Sequence, residues 1–246
     1  IAIAFTVGIL SFSEGLMASF EASMTETGMD IIIVPKEAEA YPYPDVAAFV
    51  GGFPEKLIGE IEQVENVKTA YPVFTAIPMT VFPDKPGAIP IIFGVTPDFF
   101  TEVAPYLQPQ EGRHLIADDR YVLIAGSGIA QVASLELGSQ MEFRGQQFEV
   151  VGILETSGGL DDGMLFAPLK SLQEVYDEQG QLTYVPVKVE DTTRADETAQ
   201  KLNEKWPSIS AQTVDSVVDK LDELVGIVRT AHMGLSSIAL LIGILF

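Results

Sequence analysis

The stretch TVDSVVDKLDELVGIVRTAHMGLSSIALLIGILF, residues 213–246, changes its solvent part-way along. Val214, Val217, Val218, Leu221, Leu224, Val225 and Val228 recur at helical spacing, and Asp215, Asp219, Lys220, Asp222 and Glu223 fill the other face. Thr213 stands where an N-cap belongs, and Asp215 sits in the first turn, where a helix favours negative charge. Arg229 is the last charged side chain and His232 the last titratable one. A helix that is one-sided at its start and apolar all round at its end is expected to pass from water into lipid. The competing reading is a helix buried in a soluble core.

The other end mirrors it. IAIAFTVGILSF carries no charge, and the first acidic residue is Glu14. Leu16, Phe20 and Met24 then share a helical face, and Gly28 offers a helix stop. The chain begins with Ile and has no basic n-region, so a signal peptide is not expected. Each apolar end is shorter than the ~20 residues that cross a bilayer. The two together are read as the ends of two transmembrane helices, one entering and one leaving, at 1–27 and 214–246.

Among its 246 residues, 47% are hydrophobic and 20% charged, enough for a sizeable core and too apolar for disorder. The formal charge of -21 repels nucleic acid and anionic headgroups. With no cysteine, disulfides, thiolate metal sites and a Cys nucleophile are excluded.

Between the ends, DIIIVP reads as a buried strand closed by Pro35. The following Pro-rich segment reads as a loop, yet Tyr41, Tyr43, Phe49, Val50 and Phe53 make it greasy. Tyr41, Tyr43, Phe49 and Phe53 are therefore candidates for a partner or apolar-substrate surface, against the alternative that they tuck into their own domain. EKLIGEIEQV is a helix with Leu57, Ile58, Ile61 and Val64 as its stripe. VKTAYPVFTAIPMTVF supplies one long or two short strands, broken by Pro72 and Pro78. IPIIFGV is a strand, TPDFFTEVAPYL a short helix capped by Thr96, YVLIA a strand and GSGIAQVASLELG a helix stopped at Gly138. QMEFRGQQFEVVGIL is a hairpin turning at Arg144-Gly145. MLFAPL, LTYVPVKVE and ISAQTV are strands, alternating with helices KSLQEVYDEQ and DTTRADETAQKLNEKWP. The texture predicts an α+β fold: a split α/β domain from 28–79 and 182–213, with a β-rich subdomain, 80–181, inserted.

Few residues suggest chemistry. GSGIAQ follows a strand and opens a helix, but it lacks a third glycine and a P-loop lysine, so packing is its expected purpose. Asp161-Asp162, with Glu155 upstream, could hold a hard cation, although adjacent carboxylates in a Gly-rich loop are usually a solvated turn. Asp118-Asp119 reads the same way. His114 and His232 are the only histidines, and no Ser-His-Asp arrangement or other enzyme signature is present.

The order GMDIIIVPK, ENVKTAYPV, IIFGVTPDFF, EGRHL, VLIAGSGIAQ, LGSQMEFRGQQFEVVGIL and DDGMLFAPLKSLQ resembles the extracytoplasmic, periplasmic core domain of MacB-type ABC transporter permeases. That group includes tripartite efflux permeases, lipoprotein-releasing permeases and the cell-division FtsX type. The Pro- and aromatic-rich insertion from Tyr41 to Phe53 departs from the pattern. The resemblance implies a Porter-like split domain with a Sabre-like insertion, in a four-helix permease that works as a dimer in the cell membrane with this domain outside. It implies no cofactor in this chain, ATP being bound by a separate or fused ATPase subunit. Further partners implied are a periplasmic adaptor or a lipoprotein. The implied task is mechanotransmission, moving an exported substrate or an adaptor by ATP-driven helix motion. The alternatives are an FtsX-type platform recruiting a cell-wall hydrolase and, remotely, a metal-dependent enzyme using Asp161-Asp162.

Overall fold

Three isoleucines and a valine in a row cannot leave one face in water, and strand β1 (Ile31–Pro35) is buried along its whole length. It lies inside an antiparallel four-stranded sheet, between β13 (Ile209–Thr213) and β12 (Val185–Val189), with β3 (Val67–Ala70) outermost beside β12. The computed structural model describes residues 27–40, 44–78 and 89–220, with single positions at 15, 222, 223, 226 and 230. The expected apolar helix ends therefore lie outside the described residues, as do Tyr41 and Tyr43.

A second, seven-stranded sheet draws only on the middle of the chain. Its order is β4 (Phe74–Ala76), β5 (Ile91–Val95), β10 (Met164–Pro168), β7 (Val122–Ala125), β9 (Gln146–Leu154) and β6 (Pro109–Gly112), with β8 (Gln140–Phe143) also on β9. β5 and β10 are parallel, as are β7 and β9, and the remaining pairs are antiparallel. The β8–β9 hairpin turns at Arg144 (φ 49°) and Gly145 (φ 85°), the left-handed pair that a two-residue turn needs. A short ribbon, β2 (Phe53–Pro54) on β11 (Gln181–Leu182), completes the pairing.

Alternation along the strands divides the core in two. Ile31, Ile33, Ile92, Leu123, Leu165 and Ala167 point to one face, where they meet the helices Leu57–Ile61, Ser127–Ala133, Leu169–Val175 and Ala195–Lys205. Ile32, Val34, Phe93, Val95, Ile124 and Phe166 point to the other. That face is covered by Ala47 of the helix Pro44–Val50, by Phe99, Phe100 and Val103, and by Val214 and Val217. Each cluster contains residues of both sheets.

Several segments differ from expectation, among them β6, in a stretch without strand periodicity. Part of the greasy loop after Pro35 is helical, because Pro44 pre-sets the first turn and Ala47 is small enough to pack closely against β1 and β4. TPDFFTEVAPYL forms a wide π-turn, Phe99–Val103, closed by the Ala104 amide donating to the Phe99 carbonyl at 2.8 Å, with no side-chain cap. The wider turn lets Phe99, Phe100 and Val103 all face inward, against Phe166.

Candidate functional site: the root of the flanking segments

Where the chain enters and leaves the four-stranded sheet, it is bound to itself. The Val214 amide donates to the Asp30 carbonyl at 3.0 Å, one residue beyond the Ile31–Thr213 pair of the β1–β13 ladder. Asp30 is held in turn by its own amide on the Val187 carbonyl (3.0 Å) and by its carboxylate, which accepts from the Val189 amide at 2.8 Å. Gly28 just before it has φ +59°, the left-handed conformation that ends a helix and that glycine adopts most cheaply. The two flanking segments thus start from adjacent points.

Residues 214–220 are helical. Thr213 is the N-cap read from the sequence: its hydroxyl accepts from the Ser216 amide at 3.3 Å and donates to Asp196 at 3.1 Å. Lys220 reaches back to the Gln212 side chain. The stripe of this helix enters the core, with Val217 0% exposed beside residues of both sheets. Asp30 and Asp196 went unnoticed in the sequence, where each is an ordinary acidic residue next to an element boundary.

A second junction ties the sheets together. The Tyr71 amide donates to the Pro186 carbonyl (2.9 Å), and the Val73 carbonyl accepts from both Thr183 (3.1 Å) and Tyr184 (3.2 Å). Past that point a side chain replaces the ladder: the buried Thr183 hydroxyl accepts from the Thr75 amide at 2.7 Å and lies 2.8 Å from the Thr75 hydroxyl. Burial pushes the Tyr184 phenol far above its ordinary pKa, with the nearby Asp161 charge adding to the effect.

The predicted aromatic surface divides. Phe49 is 70% exposed, whereas Phe53 is 2% exposed, sits in the core and pairs with Leu182 across β2–β11. Phe53 is therefore removed from the candidate surface: it is drawn inward because its short strand is zipped against β11.

The glycine loop and the acidic pair form one packing knot. A Cβ on Gly126 would lie 2.3 Å from the Asp161 carbonyl oxygen, so only glycine permits this approach. The Asp162 carboxylate accepts from the Ser127 hydroxyl (3.0 Å), the Ser157 amide (2.8 Å) and hydroxyl (3.1 Å), and the Gly158 amide (3.0 Å). Asp161 accepts from the Tyr106 hydroxyl at 3.0 Å. These carboxylate oxygens are committed to donors of the protein, which leaves little for a cation. Among the described residues no group of three or more His, Asp or Glu is placed to hold a metal. His114 is stacked on Phe100, with ring centroids 4.6 Å apart, and its Nε2 lies 2.7 Å from the Leu107 carbonyl. Asp119 takes both ends of the Arg113 guanidinium, at 2.6 and 2.8 Å, which holds its carboxyl below the ordinary value. No helix among the described residues is long and apolar enough to cross a membrane.

Two packed sheets, with the chain entering at Asp30 and leaving at Val214 side by side, define an α+β domain. The chain belongs to the MacB-like periplasmic core domain family, whose model matches residues 1–205, and is thus an extracytoplasmic domain of an ABC-type transporter permease. No curated protein matches the sequence. The periplasmic region of MacB from Actinobacillus actinomycetemcomitans superposes with a TM-score of 0.58 at 13% identity, covering 79% of this chain and 94% of that one. The extracellular domain of the noncanonic ABC-type transporter YknZ from Gram-positive bacteria gives 0.53 at 17% identity, with coverages of 75% and 98%. At these identities the likeness is one of fold.

Proposed function

We propose that this domain is a mechanical relay. Helix motion driven by ATP on the cytoplasmic side enters through the two stems at Asp30 and Val214 and is delivered to the seven-stranded sheet. The observation that carries this reading is the shared root: Val214 is bonded to Asp30, and Val217 is packed in a core lined by both sheets. A helix suits the stem because its hydrogen bonds are internal and it stays stiff in lipid and in water. The four-stranded sheet, drawn from both halves of the chain, would be the Porter-like part of 28–79 and 182–213, and the seven-stranded sheet the core of the Sabre-like insertion, 80–181, joined at its edge by β4 from the first Porter-like segment. Within this reading the protein sits in the cell membrane as a permease homodimer. An ATPase subunit, separate or fused, binds the nucleotide, and the moved sheet acts on a substrate, an adaptor or a lipoprotein.

Asp219→Pro tests it. The site is exposed, so the substitution breaks the helix without emptying the core, at a local cost of ~3 kcal/mol or more. The chain has no cysteine, so Glu142→Cys on β8 takes a unique label within it. In the full transporter, ATP should change the distance of this label from lipid-borne quenchers. Asp219→Pro should abolish that change while ATP hydrolysis continues. An undiminished displacement in the kinked variant would refute the relay.

A further inference from the structure

Glu55, Asp118, Arg120, Lys170, Gln173 and Glu174 line a cleft of about 770 Å³ between the helix Leu169–Val175, the turn at 117–120 and the turn before β11. Its size is that of a small-ligand site, and its lining mixes apolar surface with the charged and amide groups that would fix a ligand's orientation. Gln173 is only 3% exposed. Its amide nitrogen donates to the Gln181 carbonyl at 2.7 Å and to the Glu55 carboxylate at 3.2 Å. Both neighbours are pure acceptors, which settles which end of the amide is nitrogen and turns its oxygen away from them. That oxygen has no protein donor among the described residues. A buried acceptor gains from a donor, and a ligand in the cleft can supply one. Nearby, Glu55 has committed one oxygen to Gln173, Asp118 is exposed without a partner among the described residues, and Arg120 is neutralised by Glu174 at 2.7 Å.

We infer that this cleft receives an alkylammonium group, carried either by a free amine or by a lysine side chain. An ammonium has three N–H donors and no acceptor. Gln173, Glu55 and Asp118 offer it three acceptors, two of them charged, and the net charge of -21 enriches cations at the surface. Lys170 opposes binding by like-charge repulsion, which fixes the sign of one variant below.

Isothermal titration of the full-length protein uses cadaverine and N-acetyl-lysine amide as probes, with N-acetyl-norleucine amide as the neutral isostere. Both cations, or either one, should bind where the isostere does not. Binding of cadaverine alone points to a free amine, and equal binding of the lysine amide points to a protein-borne lysine. Asp118→Asn and Glu55→Gln should each weaken binding by about tenfold or more, the loss expected for one charge-assisted hydrogen bond, and Lys170→Gln should tighten it. Three results would overturn the inference: equal binding of the norleucine amide, no binding of either cation, or a cation affinity unmoved in both carboxylate variants, which would leave only diffuse attraction to an acidic surface.

Discussion

Glu197 accepts from Lys201 at 2.7 Å and from Arg194 at 3.3 Å, and Glu65 binds the same two cations at 3.0 and 2.9 Å. Hydrogen bonds from Lys201 and then Arg194 hold the Glu197 carboxyl down to about 2, against an ordinary 4.5, and Glu65 is lowered by Arg194 and Lys201. A carboxylate depressed in the folded state stabilises fully above its unfolded pKa, and that contribution is lost as pH falls through the folded value. Thermal midpoints should therefore drop between pH 4.5 and about 2, and Glu197→Gln should lower the midpoint at pH 7 and flatten that drop, the two curves converging toward pH 2. Molar salt should flatten it as well, because the cluster faces solvent. A drop unchanged in Glu197→Gln would assign acid sensitivity to other groups. Three of its four members were legible: Arg194, Glu197 and Lys201 are spaced for a helix face, whereas Glu65 comes from a turn 129 residues before Arg194.

At the scale of elements, both outer strands of the four-stranded sheet are guarded by side chains. Asn203 accepts from the Ala211 amide at 2.7 Å and donates to the Ala211 carbonyl at 2.8 Å, so it occupies the free edge of β13 as a neighbouring strand would. On the opposite edge the Ala70 amide of β3 donates to Glu62 at 3.2 Å. Asn203→Ala removes two hydrogen bonds and should cost about 1–3 kcal/mol, read as a lower denaturation midpoint at constant m-value. The bared edge should also promote self-association as concentration rises. A midpoint within error of the parent would show that water replaces the asparagine without loss. The helix that carries Asn203 could be read from its periodicity and from Pro207 after it. Its guarding role could not, since an asparagine within a helix announces no partner.

Over the whole molecule, the apolar clusters cross from one sheet to the other, so the sheets should unfold together. Phe166 of β10 is 1% exposed among Phe93, Phe99 and Phe100. Phe166→Ala should cost about 3–5 kcal/mol. Trp206, the lone tryptophan, packs at the end of the helix Ala195–Lys205 on the four-stranded sheet's side and reports on that part. Its fluorescence transition should shift as far as the far-UV circular dichroism. A Trp206 transition left in place would mean that the sheets melt separately. The sequence by itself determined most strands and helices, the Arg144-Gly145 turn, the Thr213 cap and the family, because periodicity, turn chemistry and motif order are properties of neighbours along the chain. Only the tertiary structure decided that Asp30 meets Val214, that Thr183 serves Thr75, that Phe53 turns inward while Phe49 stays out, and that Gln173 lines a cleft. Those outcomes depend on which distant segments pair, and local patterning carries no record of the partner's address.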